Sequence, residues 1–143
     1  VRFRGKVIQP WTGEIVGDLL ITRCRVSFLG DIELKTGDVV GSDLDVRGMN
    51  VSGKVFVFSE GRGSTVGSNV LFGLSRKGLA PRLLATCRPE LITVSGAIFG
   101  GIPMVSNIDE RIFDELRSGA RVKACMVGSE AYIEEIFETT SGS

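Results

Sequence analysis

The chain has 143 residues, with 17 basic and 17 acidic side chains and so no formal net charge. That length supports one domain with one real core, and the balanced charge gives no electrostatic reason to expect nucleic acid or a membrane surface as partner. Histidine is absent, which removes Ser-His and Cys-His nucleophile pairs, imidazole metal sites and imidazole acid–base chemistry.

No apolar run reaches the roughly 18 residues that a bilayer span needs. Arg2 and Arg4 are not followed by the apolar block of a signal peptide, so the expected location is cytoplasmic. Cys24, Cys87 and Cys125 are widely spaced, odd in number and without a CxxC pair. They read as buried, reduced thiols, with no metal site in this chain.

In chain order, Arg2 to Ile8 alternates and predicts a strand, broken by Pro10-Trp11-Thr12-Gly13. Glu14 to Arg23 predicts a second strand and Arg25 to Phe28 a short third one. Leu29 to Asp38 reads as a loop with a turn, in which Asp31 and Glu33 are expected to be solvated carboxylates. The polar stretch Val39 to Asn50 reads as a crossing loop before the central strand, Val55-Phe56-Val57-Phe58. Val66, Val70, Leu71 and Leu74 then recur on one helix face, with Gly78 and Pro81 ending the helix. Arg82 to Thr86 is a buried strand. Pro89 is expected in the first turn of a helix over Leu91 to Phe99 that ends at Gly100-Gly101. Ile102 to Val105 is a strand, Glu110 to Arg117 a helix capped by Asn107 or Asp109, and Ala120 to Val127 and Ala131 to Phe137 are two closing strands. The tail from Glu138 to Ser143 is small, polar and expected to be flexible. Alternating strands and helices argue a parallel sheet, and the flanking strands argue an added antiparallel or barrel-like layer that pairs the last strands with the first.

Chemistry concentrates between the central strand and the helix after it, in Ser59-Glu60-Gly61-Arg62-Gly63-Ser64-Thr65. Gly61 and Gly63 let backbone approach a ligand closely, Arg62 offers a planar cation, and a helix N-terminus suits an anion. The plainer reading is that Ser64 or Thr65 only caps the helix and the glycines only make a turn. The loop lacks the Lys-Ser/Thr ending of a P-loop and the glycine spacing of a dinucleotide fingerprint.

Four groups of residues carry a resemblance: Phe28-Leu29-Gly30-Asp31 with Thr36-Gly37; Ser52-Gly53-Lys54-Val55; Gly61 to Thr65 with Gly67-Ser68; and Ala97 to Val105. Together they resemble the swivelling domain of the aconitase superfamily, and specifically the small subunit of its aconitase X branch. The resemblance implies an α/β fold, a three-layer swivelling β/β/α domain over residues 1–143. It implies a dehydratase (hydro-lyase) subunit, active only as a heterodimer with a large aconitase X subunit that holds an iron–sulfur cluster, and no cofactor in this chain. Ser64 matches the family's serine base, and Gly61, Arg62, Gly63, Thr65 and Ser68 become the substrate-binding residues. Phosphomevalonate, in the archaeal mevalonate pathway, is the expected small-molecule substrate; hydroxyproline is the alternative, and a non-catalytic swivelling module stays open. One departure stands out, since ordinary aconitases carry an arginine two residues after the serine and Val66 is here. Phosphohistidine swivelling domains share a run like Gly101 to Val105, but they need a histidine.

Overall fold

A computed structural model of the chain describes residues 1–62 and 66–137, with the backbone alone at Val66. Seven strands close into one barrel in the order β1-β5-β4-β3-β2-β6-β7. They are β1 (Arg2–Gln9), β2 (Ile15–Ile21), β3 (Val55–Phe58), β4 (Leu83–Thr86), β5 (Met104–Ser106), β6 (Arg121–Val127) and β7 (Glu130–Glu135). Neighbouring strands from β2 to β5 are parallel, and every pairing made by β1, β6 and β7 is antiparallel. The expected parallel core and flanking antiparallel strands are both present. They form one continuous closed sheet because β7 pairs with β1, from Arg2↔Glu134 to Lys6↔Glu130.

Side-chain alternation divides the apolar residues into two clusters. Phe3, Leu19, Val57, Leu83, Val105, Ala124 and Ile133, one or more from each strand, fill the barrel. Ile108, Ile112 and Leu116 join them from the connection after β5 and plug the mouth at the carboxyl ends of the parallel strands. The opposite faces, with Leu20, Phe56, Phe58, Leu84 and Met104, pack under the helices α2 (Val66–Arg76) and α3 (Leu91–Gly100). β3 and β4 are thus buried on both faces, which is why they read as unbroken apolar runs rather than as alternation.

Four local expectations change, the last of them at Pro89. Arg25 to Phe28 is not a strand; only Val26 makes an isolated parallel bridge, to Gly61, and Phe28 starts the four-residue helix α1 (Phe28–Asp31). Packing decides this, because the Phe28 ring sits edge-on to Phe58 at 5.7 Å and to Phe56 at 6.3 Å. Burying a side chain of that size is worth about 2–3 kcal/mol. Asp31 is buried rather than solvated. Its Oδ2 accepts from the Ser27 N–H at 2.8 Å, and its carbonyl accepts from Val40 and Gly41, so it pins the crossing loop to α1. The last helix shrinks to α4 (Ile112–Glu115), where Asp109 Oδ1 accepts from the Arg111 N–H while Asn107 adopts left-handed backbone with φ 54°.

The other helix ends follow local chemistry. Pro89 lies just before the N-cap of α3, not in its first turn; Glu90 is the cap and accepts from the N–H groups of Ile92 and Thr93. Gly101, at φ 66°, ends that helix, and Gly78, at φ 72°, follows α2. The expectation for residues 138–143 lies outside the described residues.

Candidate functional site

The carboxyl ends of β2, β3 and β4 gather the site. β3 continues past Phe58 into Ser59-Glu60-Gly61, held by hydrogen bonds from Val26 N–H to the Glu60 carbonyl (3.0 Å) and from Arg62 N–H to the Val26 carbonyl (2.9 Å). On its other side the Ser59 carbonyl accepts from the N–H of Cys87 at 3.0 Å. This loop is therefore an extension of the sheet, held against Val26 as far as Arg62 and against Cys87 at Ser59.

Gly61 is buried and has no room for a side chain: a Cβ there would lie 2.0 Å from Thr93 Oγ1 and 2.6 Å from Glu90 Oε2. The glycine lets the loop cross directly over the first turn of α3, whose N–H groups are already taken by Glu90. Arg62 follows at the surface, with its side chain exposed. Ser68, in the first turn of α2, is half-buried and borders a small surface hollow with Asn69, Phe72 and Phe99. Gly67 brings α2 against Ile92 of α3 and against Phe28 of α1. Of the residues singled out from the sequence, Gly61 and Arg62 thus stand at one strand end, and Ser68 borders a separate hollow with Phe72 and Phe99; Gly63, Ser64 and Thr65 lie outside the described residues.

Three side chains at this end were given no role by the sequence, although Glu60 lies in the loop that stood out. Arg25 follows β2, Glu60 follows β3 and Arg88 follows β4. Glu60 Oε1 is 3.4 Å from Arg25 Nε, and its Oε2 is 3.4 Å from Arg88 Nε. Glu60 raises the Arg88 pKa above its ordinary value, first by the hydrogen bond and then by charge. Their position, just past the ends of adjacent parallel strands, is the signal that could have found them. A shallow cleft of about 270 Å³ continues from Arg88 along Cys87, Asn107, Ile108 and Glu110. Burial, followed by the charge of Glu110, pushes the Cys87 thiol up, so it is a poor nucleophile here. A larger hollow of about 310 Å³ lies beside Thr22 and Asp45, but its Arg23 is engaged by Asp114 and the Phe113 ring.

All three cysteines are free thiols; Cys87 is buried, and Cys24 and Cys125 are half-buried. Among the described residues, no group of three or more His, Cys, Asp or Glu side chains is placed to hold a metal ion. Among the described residues the donor set therefore does not fit an iron–sulfur cluster. No helix among the described residues is long and apolar enough to cross a membrane.

Comparison with known proteins gives a consistent set of neighbours. The family model of the aconitase X swivel domain matches residues 2–133. The phosphomevalonate dehydratase small subunit of Methanosarcina acetivorans is 38% identical over 136 residues, covering 95% of this chain and 92% of that protein. The protein of the same name from Thermococcus onnurineus is 41% identical over 111 residues, covering 78% and 83%. The crystal structure of Thermococcus kodakaraensis aconitase X in its holo-form matches with a TM-score of 0.83 and 34% identity, over 94% of this chain and 99% of that one.

Proposed function

The chain belongs to the aconitase X swivel-domain family, and on that premise we propose that it is the small subunit of a two-subunit phosphomevalonate dehydratase. Small subunits named for that activity match it along most of its length. The local support is the strand end: β3 delivers Gly61 and Arg62 to the carboxyl edge of the parallel strands, where ligands of such sheets bind. Residues 63–65 then span from there to the first turn of α2.

In this reading Ser64 is the base. It takes the proton from the carbon next to the substrate carboxylate, the C–O bond on the neighbouring carbon breaks, and the hydroxyl leaves with a proton as water. A serine hydroxyl is too weak a base unaided, so its alkoxide must be stabilised. Arg62, two residues before it, supplies positive charge, and the N-terminus of α2 supplies N–H groups. Gly61 and Gly63 are assigned to close backbone approach, and Thr65 and Ser68 to substrate binding. The iron–sulfur cluster, a Lewis acid in this family's chemistry, belongs to the large subunit, as do its ligands. The absence of histidine rules out a phosphohistidine carrier.

The test is Ser64→Ala in the enzyme reconstituted from both subunits. Removing a general base costs about 10²–10⁴-fold in rate, and the variant should still pair with the large subunit and leave its cluster absorbance unchanged. Near-normal turnover by the variant would reduce Ser64 to a helix cap. The small subunit alone should show no turnover.

A further inference from the structure

Two exposed arginines at the strand ends share one half-buried carboxylate. The Glu60 side chain is 24% exposed, against 60% for Arg25 and 64% for Arg88. Arg88 approaches it through both Nε and Nη2, each at 3.4 Å. Ion pairs this exposed and this long contribute little to stability, so stability alone gives no reason for the arrangement. As an orienting device it works well. Glu60 engages the Nε edge of each guanidinium, and one carboxylate cannot take up the five N–H donors that each of them carries. Of the neighbouring carboxylates, Glu90 accepts from the first turn of α3, and Glu110 lines the same cleft as Arg88. Arg62, exposed and held through its backbone N–H to the Val26 carbonyl, follows on the same strand extension.

We propose that Arg25 and Arg88, oriented by Glu60, bind the phosphate group of the substrate. This rests on the dehydratase reading above. In phosphomevalonate the reacting carbon lies between the carboxylate and the hydroxyl-bearing carbon, and the phosphate ends the opposite arm. A subunit that offers Ser64 to the reacting carbon meets the phosphate on the loops that border the β3 extension. Arg25 and Arg88 stand on those loops, on either side of the β3 extension. Guanidinium forks match phosphate oxygens two at a time. Glu60 touches no substrate in this arrangement and is a positioning residue.

The experiment uses the reconstituted two-subunit enzyme. Arg25→Ala and Arg88→Ala should each raise KM for phosphomevalonate about 10- to 100-fold, the range for charge-assisted hydrogen bonds, with kcat within about threefold. Glu60→Gln should raise KM by a smaller factor, and Arg88→Lys, which keeps charge without the fork, should recover part of the loss. Inorganic phosphate should inhibit the wild-type enzyme competitively, with an inhibition constant that rises alongside KM in each variant. Inhibition by mevalonate, which lacks the phosphate, should not change. Unchanged KM in both alanine variants would overturn the proposal. So would equal weakening of mevalonate, which means carboxylate recognition, or loss of co-elution with the large subunit, which means a subunit contact. If the wild-type enzyme does not turn over phosphomevalonate, the dehydratase reading fails separately. Calorimetry of the complex with inorganic phosphate then decides: binding lost in the arginine variants retains the anion site, and no binding to the wild type removes it.

Discussion

Replacing Gly61 with alanine should be among the most damaging single-methyl changes at this end of the barrel. Gly61 has ordinary backbone, outside the left-handed glycines, so the cost is steric. The added Cβ would stand 2.0 Å from Thr93 Oγ1 and 2.6 Å from Glu90 Oε2. Neither atom can move freely: Thr93 is 2% exposed, and its hydroxyl donates to Glu90 Oε2 at 2.9 Å while that oxygen also accepts the Thr93 N–H. Overpacking costs about 1–3 kcal/mol and a lost N-cap about 0.5–2 kcal/mol. A total of about 2–4 kcal/mol should lower Tm by roughly 10 °C in a chain of this size. Thermal unfolding of the purified chain, followed by circular dichroism, reads it. Thr93→Ala removes the nearest clash and leaves the second, so the double variant should recover about half of the loss, a coupling that separates steric conflict from general fragility. Gly78→Ala is the control: its Cβ would meet nothing within 4 Å and faces only a φ of +72°, at a cost of about 1–2 kcal/mol. A Gly61→Ala midpoint within about 2 °C of the native one would refute the close packing of this loop on α3.

Two further predictions concern titratable groups. Burial raises the Cys87 pKa, so iodoacetamide at about pH 8 should label Cys87 more slowly than the half-buried Cys24 and Cys125, read by mass spectrometry of the native chain; labelling of Cys87 first would contradict its placement under the strand ends. The Arg111 side chain, and then its backbone N–H, hold the Asp109 carboxyl below its usual value. A depressed folded pKa stabilises above the unfolded value and loses that contribution as pH falls through the folded one. Arg111→Ala should therefore raise the Asp109 titration seen by NMR and lower stability near neutral pH but not below about pH 2; an unmoved titration would reject the pairing.

The parts of the fold that local pattern controls were legible. Val55–Phe58 and Leu83–Thr86 stood out as strands because burial on both faces leaves no polar position. The ends of α2 and α3 were marked by Gly78 and Gly101. What failed was decided at a distance. Phe28 joins a helix because Phe56 and Phe58 receive its ring, and nothing within four residues of it says so. Ile112, Phe113 and Leu116 have helical spacing, yet a single turn suffices to plug the barrel and Leu116 is already extended. At the site, glycines announced the loop at Gly61. Arg25, Glu60 and Arg88 gain meaning only from register, in which Val26 meets Gly61 and Phe58 meets Thr86.

Barrel closure also orders events during synthesis. β1 is made first but has no sequence-near partner: Val7 pairs with Val105, and Phe3 with Ile133. The block from β2 to β5, with its helices, can assemble as the chain lengthens, since each parallel neighbour follows in turn. β1 acquires one neighbour when β5 emerges from the ribosome and the other only when β7 does. Such distant pairings are slow to find, and an unpaired strand edge is open to wrong partners while it waits. Residues 130–135 therefore act as the latch of the molecule: until they arrive, β1 and β6 each present an open edge.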